Sequence, residues 1–342
     1  METPNHKDVN IYDIARALKV STATVSRALK NNPSVNKTTR KKVLATARKM
    51  GYRPNNFASN LRTQKTNTIG VIIHELNSNF IISVLTGIEK VAAEAGYDIV
   101  IAHSSETAAK EIANAHNLFY KRVDGLIASL AYDTQNLEHF EPFFKKGIPV
   151  IFFDRVEEDT MGVKVVIDNV KAGTIATEHL IGQGCRNIVH VTGHLRRNVY
   201  AHRLQGYKTA LLAAGLPYRE DRVIVNDLST EGAIDAAKSI LAMDPRPDGL
   251  FVTNDFCASV CMQTLKEGGM KIPEDIAVVG FNNDIISTIV EPRLTTISYP
   301  GREIGEVTAS HLISQLRQGK KVSPTNKVIL SSRLIVRASS QR

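Results

Sequence analysis

The chain has 342 residues, 43% of them hydrophobic and 23% charged, which is the balance of an ordinary folded protein with two or three domains. No apolar run approaches membrane-spanning length, and the N-terminal segment METPNHKDVN lacks the apolar core of a signal peptide, so we expect a cytoplasmic protein. Residues 1–66 carry a net charge of +11, whereas the remainder carries −2. This segregation predicts a nucleic-acid-binding head on a near-neutral body, the alternative being a solvated basic surface.

The head, residues 1–53, is predicted to contain three short helices. The first runs through IYDIARALK, and only a tight turn fits before a second helix capped by Ser21. A third helix over about residues 37–50 ends at Gly51. Two short helices joined in this way form a helix-turn-helix, which places the second helix for the major groove of DNA.

The second helix presents Thr22, Ala23, Ser26, Arg27 and Lys30 outward. Arg27 is suited to a bidentate contact with guanine, while Ala23 and the Thr22 methyl group offer apolar contacts to thymine. The side chains better suited to phosphate, which position the head without reading sequence, are Ser21, Thr24, Thr39 and Tyr52.

The stretch PNNFASNLRTQKTN, residues 54–67, joins the head to the body. It holds a turn or two of possible helix, too short to be stable alone in water. One interpretation is a segment that orders only against a partner. The other is an ordinary tether whose apolar residues pack on a neighbouring domain.

Beyond residue 67, apolar strand patterns alternate with helical stretches. Strands are predicted at 69–74, 97–103, 123–129 and 148–153, and again at 187–192, 222–226, 248–253 and 275–280. Helices are predicted at 79–95, 170–182, 200–214, 229–242 and 255–268. This spacing indicates βαβ units in buried parallel sheets, and its repetition indicates two doubly wound lobes.

The C-terminal pattern predicts three crossings between the lobes, near residues 161, 294 and 328. Lobe 1 is then expected at about 68–160 and 295–327, and lobe 2 at about 161–294 and 328–342. The chain ends without a leucine heptad, so we expect dimers rather than tetramers built by a C-terminal coiled coil.

Two facing lobes of this kind bind ligands in the cleft between them, beyond the carboxyl ends of their strands. The strand exits to inspect are 74–80, 128–132, 154–155, 193–203, 253–255 and 281–284. They are rich in Asn, Asp, Arg and aromatic residues, which suit the hydroxyl groups and apolar face of a polyol. The alternative is that polar side chains there only cap helices.

Motifs for catalysis and metal binding are absent from the sequence. There is no GxxxxGK[ST] loop, GxSxG elbow or HExxH pair. The three cysteines form no CxxC pair, and the histidines at 190, 194 and 202 lack a ligand spacing. We therefore predict no enzyme activity, no cofactor and no metal site.

The segment VNIYDIARALKVSTATVSRALKNNPSVNKTTRKKVLATARKMGYRPNNFASNLRTQKTNTIGVI resembles the DNA-binding head and hinge of the lactose/galactose repressor family, and a looser similarity continues to the C-terminus. The resemblance implies that Thr22, Ala23 and Arg27 read bases, and that residues 56–62 become a hinge helix. It also implies that Leu61 opens the central base step from the minor groove. The DNA-binding set is completed by Ile11, Tyr12, Asn55, Ala58 and Arg62.

Two positions of the head depart from the family pattern. Lys19 stands where the family usually has Gly, so it must accept a positive φ at about 1 kcal/mol. Thr22 stands where Pro or Tyr is common, so the half-site sequence of a relative does not carry over.

In the body, RLQGYKTAL matches the family's ligand-binding Arg motif, TNDFCA its Asn-Asp strand exit, and VVGFNND a segment where many relatives carry an aspartate. That position is Asn282 here, which lacks the charge, so a neutral sugar or an anion held by Arg203 and Arg155 is favoured. The candidate effector-binding residues are Asn79, Phe80, Asp154, Arg155, Arg203, Asn254, Asp255 and Asn282.

These features predict an all-α helix-turn-helix DNA-binding head plus an α/β periplasmic-binding-protein-like body of two doubly wound parallel-sheet lobes. The predicted function is that of a transcriptional regulator, as a repressor, which binds a palindromic operator in double-stranded DNA as a homodimer. A sugar-like effector between the lobes controls its operator affinity. The alternative is a cytoplasmic sugar-binding protein or enzyme on the same body, without a gene-regulatory role.

Overall fold

A computed structural model describes residues 9–52, 65–319 and 326–342. The chain forms two compact units, a head that ends at Thr66 and a body that begins at Asn67. Most of the predicted hinge at 54–67 lies outside the described residues, because the first described range ends at residue 52 and the next begins at residue 65. Within the three described ranges, no helix combines the length and apolarity needed to cross a bilayer.

The head contains α1 (Ile11–Leu18), α2 (Thr22–Leu29) and α3 (Lys37–Lys49). Each helix begins at a polar residue whose side chain accepts backbone N–H groups of the first turn; these caps are Asn10, Ser21 and Asn36. Ile14, Val25 and Val43 are fully buried where the three helices meet. The predicted three-helix head is confirmed.

The turn between α1 and α2 has the conformation expected at Lys19. Its φ of 51° lies in the left-handed region, and the next N–H, that of Val20, donates to the Ala15 carbonyl to close the turn. Gly51 has a φ of 71° just after α3, as predicted for a helix stop. Glycine adopts this conformation freely, whereas Lys19 costs about 1 kcal/mol because its Cβ crowds the backbone.

The body alternates strands and helices. Its first part contains β1 (Thr68–Ile73), α4 (Asn79–Glu94), β2 (Asp98–His103), α5 (Ala108–Tyr120), β3 (Gly125–Ala128), α6 (Glu141–Lys145), β4 (Val150–Phe153) and β5 (Val163–Ile167). Its second part contains α7 (Asn169–Gly182), β6 (Ile188–Thr192), α8 (Asn198–Ala213), β7 (Val223–Val225), α9 (Thr230–Leu241), β8 (Gly249–Val252), α10 (Asp255–Glu267), β9 (Ala277–Asn282), α11 (Ile286–Ile289) and β10 (Thr295–Ser298). The tail contains α12 (Gly301–Gln318), β11 (Asn326–Leu330) and β12 (Arg333–Ile335).

The described strands form two sheets, with orders β11-β5-β4-β3-β1-β2 in lobe 1 and β12-β10-β9-β8-β6-β7 in lobe 2. The pairings are parallel apart from the antiparallel pair of β10 with β12. Strands β3, β4, β5 and β8 are buried along their whole length. Burial on both faces explains their continuous apolar sequences. The predicted α/β body of two doubly wound lobes is confirmed.

The chain crosses between the lobes after β5, between β10 and α12, and between β11 and β12. The predicted crossings near 161, 294 and 328 lie a few residues too early, because β5 pairs with β4 in lobe 1 and β10 pairs with β9 in lobe 2. Sequence analysis missed β5 because Lys164 interrupts its apolar run. This buried side chain is accommodated by its Nζ, which donates to the Thr160 carbonyl at 2.6 Å.

Candidate functional site

The outer face of α2 carries the predicted base-reading residues. Ala23 and Arg27 are exposed and Thr22 is partly exposed. The hydroxyl of Ser21 accepts the Thr24 N–H at 3.1 Å and so caps the helix. The other described residues of the predicted DNA-binding set are exposed or partly exposed: Ile11, Tyr12, Ser26, Lys30, Thr39 and Tyr52. The hinge members of that set, which lie outside the described residues, are Asn55, Ala58, Leu61 and Arg62.

The cations in residues 9–52 form no ion pairs with acidic side chains. Residues 9–52 hold ten Lys and Arg side chains and a single acid, Asp13. Its carboxylate accepts the Asn10 N–H at 3.0 Å and completes a capping box on α1. No ion pair forms within residues 9–52, a stretch that the structure describes without a gap. Exposed, unpaired cations of this density suit the phosphate backbone of DNA.

On α8 of lobe 2, Arg203 is 3% exposed. Its Nε donates to Asn169 Oδ1 at 2.9 Å and its Nη1 to the Thr253 carbonyl at 3.0 Å. The guanidinium carbon lies 3.6 Å from the centroid of the Phe281 ring. No carboxylate of the described residues comes within ion-pair distance, and burial lowers the pKa of Arg203. A buried cation held only by neutral groups and an aromatic face is available to a polar or anionic ligand.

Arg155, just after β4, is 2% exposed and contacts both a carboxylate and aromatic side chains. Its Nη1 donates to the two carboxylate oxygens of Glu106 at 2.8 and 2.7 Å, and its Nη2 donates to the Tyr200 hydroxyl at 3.1 Å. The guanidinium carbon lies 4.2 Å from the ring centroid of Tyr132 and 5.5 Å from that of Tyr200. Nη1 and Nη2 of Arg155 thus have internal partners, and its predicted role in effector binding stays a prediction.

Asp154 also engages residues from outside its own strand. Its carboxylate Oδ1 accepts the Tyr299 hydroxyl at 2.6 Å. Asn198, at the start of α8, donates from Nδ2 to the Asp154 carbonyl at 3.1 Å, and its Oδ1 accepts the Val156 N–H at 3.0 Å. Since α8 belongs to lobe 2 and Val156 follows a lobe 1 strand, these bonds join the lobes directly.

A depression of about 700 Å³ opens between the exits of β1 and β9. Asn79, Phe80 and Asn282 of the predicted set line it. The Phe80 ring stacks on Tyr299 with 4.1 Å between centroids and an angle of 17°. Asp284 also lines the depression, and burial raises the pKa of its carboxyl to about 6. Amides beside an aromatic face match the polar groups and ring face of a sugar.

Comparison with known proteins addresses both units. Residues 10–55 match the profile of bacterial regulatory proteins of the lacI family, and residues 177–340 match a periplasmic binding protein-like domain. The chain is 35% identical over 335 residues to catabolite control protein A of Priestia megaterium, covering 98% of this chain and 100% of that relative. The chain belongs to the LacI family of bacterial regulatory proteins.

Other LacI-family relatives agree over most of the length. The HTH-type transcriptional repressor PurR of Photobacterium profundum is 30% identical, covering 90% of this chain and 92% of the relative. The solved Lac repressor dimer bound to operator and the anti-inducer ONPF is 25% identical, covers 98% of this chain and 100% of that chain, and has a TM-score of 0.86. The complex of the transcriptional regulator CelR with cellobiose is 26% identical, with coverages of 97% and 99% and a TM-score of 0.72. This LacI-family chain is a DNA-binding transcriptional regulator rather than an enzyme, and the alternative without a regulatory role has no support.

Two predicted effector residues of this LacI-family body also stabilise the fold. Asn254 caps α10 by accepting the Cys257 N–H at 3.0 Å, which is the helix-cap alternative raised from the sequence. Asp255 is fully buried, and its two oxygens accept the Thr296 hydroxyl at 2.7 Å and the Asp284 N–H at 2.8 Å. Burial raises the pKa of Asp255 well above its usual range. Neither oxygen of Asp255 reaches the cleft surface.

Sequence analysis missed several residues that shape the cleft: Glu106, Tyr132, Asn198, Tyr200 and Tyr299. Tyr132, Asn198 and Tyr200 lie within the predicted strand exits 128–132 and 193–203. Residue type alone does not distinguish them from neighbouring residues that do not shape the cleft. Glu106 follows β2, whose exit the same topological rule would have included. Tyr299 contacts both halves of the predicted set, since its ring stacks on Phe80 and its hydroxyl bonds to Asp154.

Close packing of α7 on α8 fixes the position of Arg203. A Cβ at Gly173 would overlap the backbone carbonyl of Arg203, and one at Gly206 would overlap that of Val170. Glycine at both positions lets the helices approach until Asn169, at the start of α7, reaches the Arg203 guanidinium. The cleft cation is thus held by a rigid helix pair rather than by a loop.

Proposed function

We propose that this LacI-family regulator represses transcription in the cytoplasm by binding a palindromic operator as a homodimer, and that a small sugar or sugar derivative in the cleft sets its operator affinity. The observation that supports effector binding is Arg203, a buried guanidinium on α8 that has no carboxylate partner among the described residues. The cellobiose complex of one relative and the ONPF complex of another support a sugar-like ligand.

On the DNA side, we assign base reading in the major groove to Thr22, Ala23 and Arg27. The phosphate contacts fall to Ser21, Thr24, Thr39 and Tyr52. Two heads of a dimer take the two half-sites of the palindrome, and paired Leu61 side chains kink the central step from the minor groove. Ligand binding changes the relation between the lobes and so the stability of the hinge, with a coupling of about 1–3 kcal/mol.

The chemistry of the cleft favours a neutral polyol or a sugar with an anionic group. Asn282 offers an amide where a carboxylate would hold a cation, and the Asp154 carboxylate is already engaged by Tyr299. Arg203 supplies the charged donor that such a ligand needs.

A thermal-shift screen of sugars, sugar phosphates and sugar acids tests the proposal. We expect at least one compound to raise the Tm of the full chain, and Arg203→Ala to weaken that compound's binding at least about tenfold, because a hydrogen bond to a charged donor contributes about 1.5–3 kcal/mol. Arg219→Ala, which removes an exposed arginine paired with Asp221, is the matched control and should bind as the wild type does. A ligand whose binding survives Arg203→Ala unchanged would refute the role assigned to Arg203.

A further inference from the structure

A closed cage surrounds the Arg155 guanidinium in the inter-lobe cleft. Glu106 supplies a carboxylate to Nη1, and its Oε2 also accepts the Tyr132 N–H at 3.2 Å, which fixes the carboxylate against the aromatic wall. Tyr132 covers one side of the guanidinium, and the hydroxyl of Tyr200 accepts its Nη2. The two tyrosine hydroxyls lie 3.1 Å apart and close the cage.

The cage is assembled from both lobes. Glu106, Tyr132 and Arg155 follow lobe 1 strands, whereas Tyr200 lies on α8 of lobe 2. Two residues before it on the same helix, Asn198 bonds to the backbone on both sides of Arg155. The guanidinium therefore lies where the two lobes are in contact.

We propose that Glu106, Tyr132 and Tyr200 form a guanidinium-binding site that the chain fills with its own Arg155, an internal ligand that holds the two lobes together. A carboxylate with two oxygens facing one cation, an aromatic face and a hydroxyl acceptor are the groups that bind a guanidinium ion selectively. Burying the charge is unfavourable unless these partners are present, so removing any one of them should destabilise the contact between the lobes. The inference is independent of the identity of the effector.

The cage predicts chemical rescue. In Arg155→Ala the carboxylate and the two tyrosines remain, so the full chain should lose stability, with the Tm about 5–10 °C lower. Methylguanidinium chloride at about 20 mM should restore about 1–2 °C by occupying the cage. The same salt should leave the wild type and Arg219→Ala without gain, and sodium chloride at equal ionic strength should not rescue Arg155→Ala. No rescue, or equal gain in all three proteins, would overturn the proposal.

Hydrogen exchange at the Val156 N–H measures the contact between the lobes, because this N–H donates to Asn198 on α8 of the other lobe. In hydrogen exchange of the full chain, Glu106→Gln should speed exchange of the peptide containing Val156 about tenfold or more, while peptides from β3 and β8 keep their protection. This variant removes only the charge, so it remains informative if Arg155→Ala fails to fold. Unchanged exchange at Val156 would show that the Arg155 contacts do not hold the lobes. Absence of any sugar ligand, by contrast, would refute the proposed effector and leave both of these results intact.

Discussion

The head and the body of this regulator use their cations in opposite ways. The head displays ten Lys and Arg side chains in residues 9–52 with one acid, and that acid caps a helix. The body buries Arg155 and Arg203 and gives each of them hydrogen-bond acceptors from the protein itself. Exposed cations attract a polyanion over a distance and are screened by salt, whereas buried ones act only at contact and are screened little. The same residue type therefore serves DNA attraction in one unit and ligand geometry in the other.

The largest expected difference between the two units is the salt dependence of binding, which should be strong for DNA at the head and weak for a neutral ligand in the body. If each head-to-DNA complex involves six or more phosphate contacts, raising the salt from 50 to 200 mM should lower DNA affinity by about 10³-fold or more. The Tm gain from a neutral cleft ligand should be the same at both concentrations. Fluorescence anisotropy on labelled DNA measures the DNA affinity, and thermal shift on the same preparation measures the Tm gain from the ligand. Equal salt sensitivity of both events would contradict the division of labour.

Gly173→Ala tests whether the close packing of α7 on α8 is needed for stability. The added methyl group collides with the backbone of Arg203, so we expect a loss of about 2–3 kcal/mol in unfolding free energy. Gly182→Ala, on the same helix, meets open space and should be neutral or stabilising by up to about 1 kcal/mol. Chemical denaturation measures both variants. Equal effects of the two substitutions would show that helix propensity, and not the α7–α8 contact, decides the outcome.

Within the head, Arg27→Ala should change the DNA sequence preference, whereas Arg48→Ala should lower only the overall affinity for DNA. Loss of a bidentate base contact should reduce discrimination at one base pair by about 1–3 kcal/mol. Arg48, an exposed cation of α3, contributes charge alone, so its removal should weaken binding to all sequences by a similar factor. Selection of operators from a randomised pool by each variant measures the preference. An unchanged preference in Arg27→Ala would assign that side chain to phosphate.

The smallest effect concerns Asp284 in the depression. Burial raises its folded-state pKa to about 6, so the folded protein holds this proton more tightly than the unfolded chain does. Its contribution to stability is therefore lost as pH rises from about 4 to about 6. Asp284→Asn removes that dependence, and its Tm relative to wild type should increase from pH 4.5 to pH 7. Asp227→Asn should show no such increase over this range, because hydrogen bonds from Ser229 lower the pKa of Asp227, so its contribution changes only at lower pH. A constant difference for Asp284→Asn would contradict the shift.

The sequence predicted the three-helix head, the two parallel-sheet lobes and the family, because caps, apolar periods and charge segregation are local properties. It failed where tertiary contacts decide the outcome. Lys164 hid strand β5, since nothing local shows that its amine reaches a backbone carbonyl. Asp255 looked like a ligand group, but a neighbouring strand and loop supply its partners. The Glu106–Arg155 pair joins residues 49 positions apart, and no spacing rule indicates it.

The most direct test of the account is the linkage between the cleft and DNA. A compound that raises the Tm of wild type but not of Arg203→Ala should be added to full-length protein titrated onto its selected operator. The account predicts that the operator Kd changes about 5–150-fold in wild type and is unchanged in Arg203→Ala. An operator Kd that stays constant in wild type while the cleft is saturated would contradict the claim that this cleft controls DNA binding.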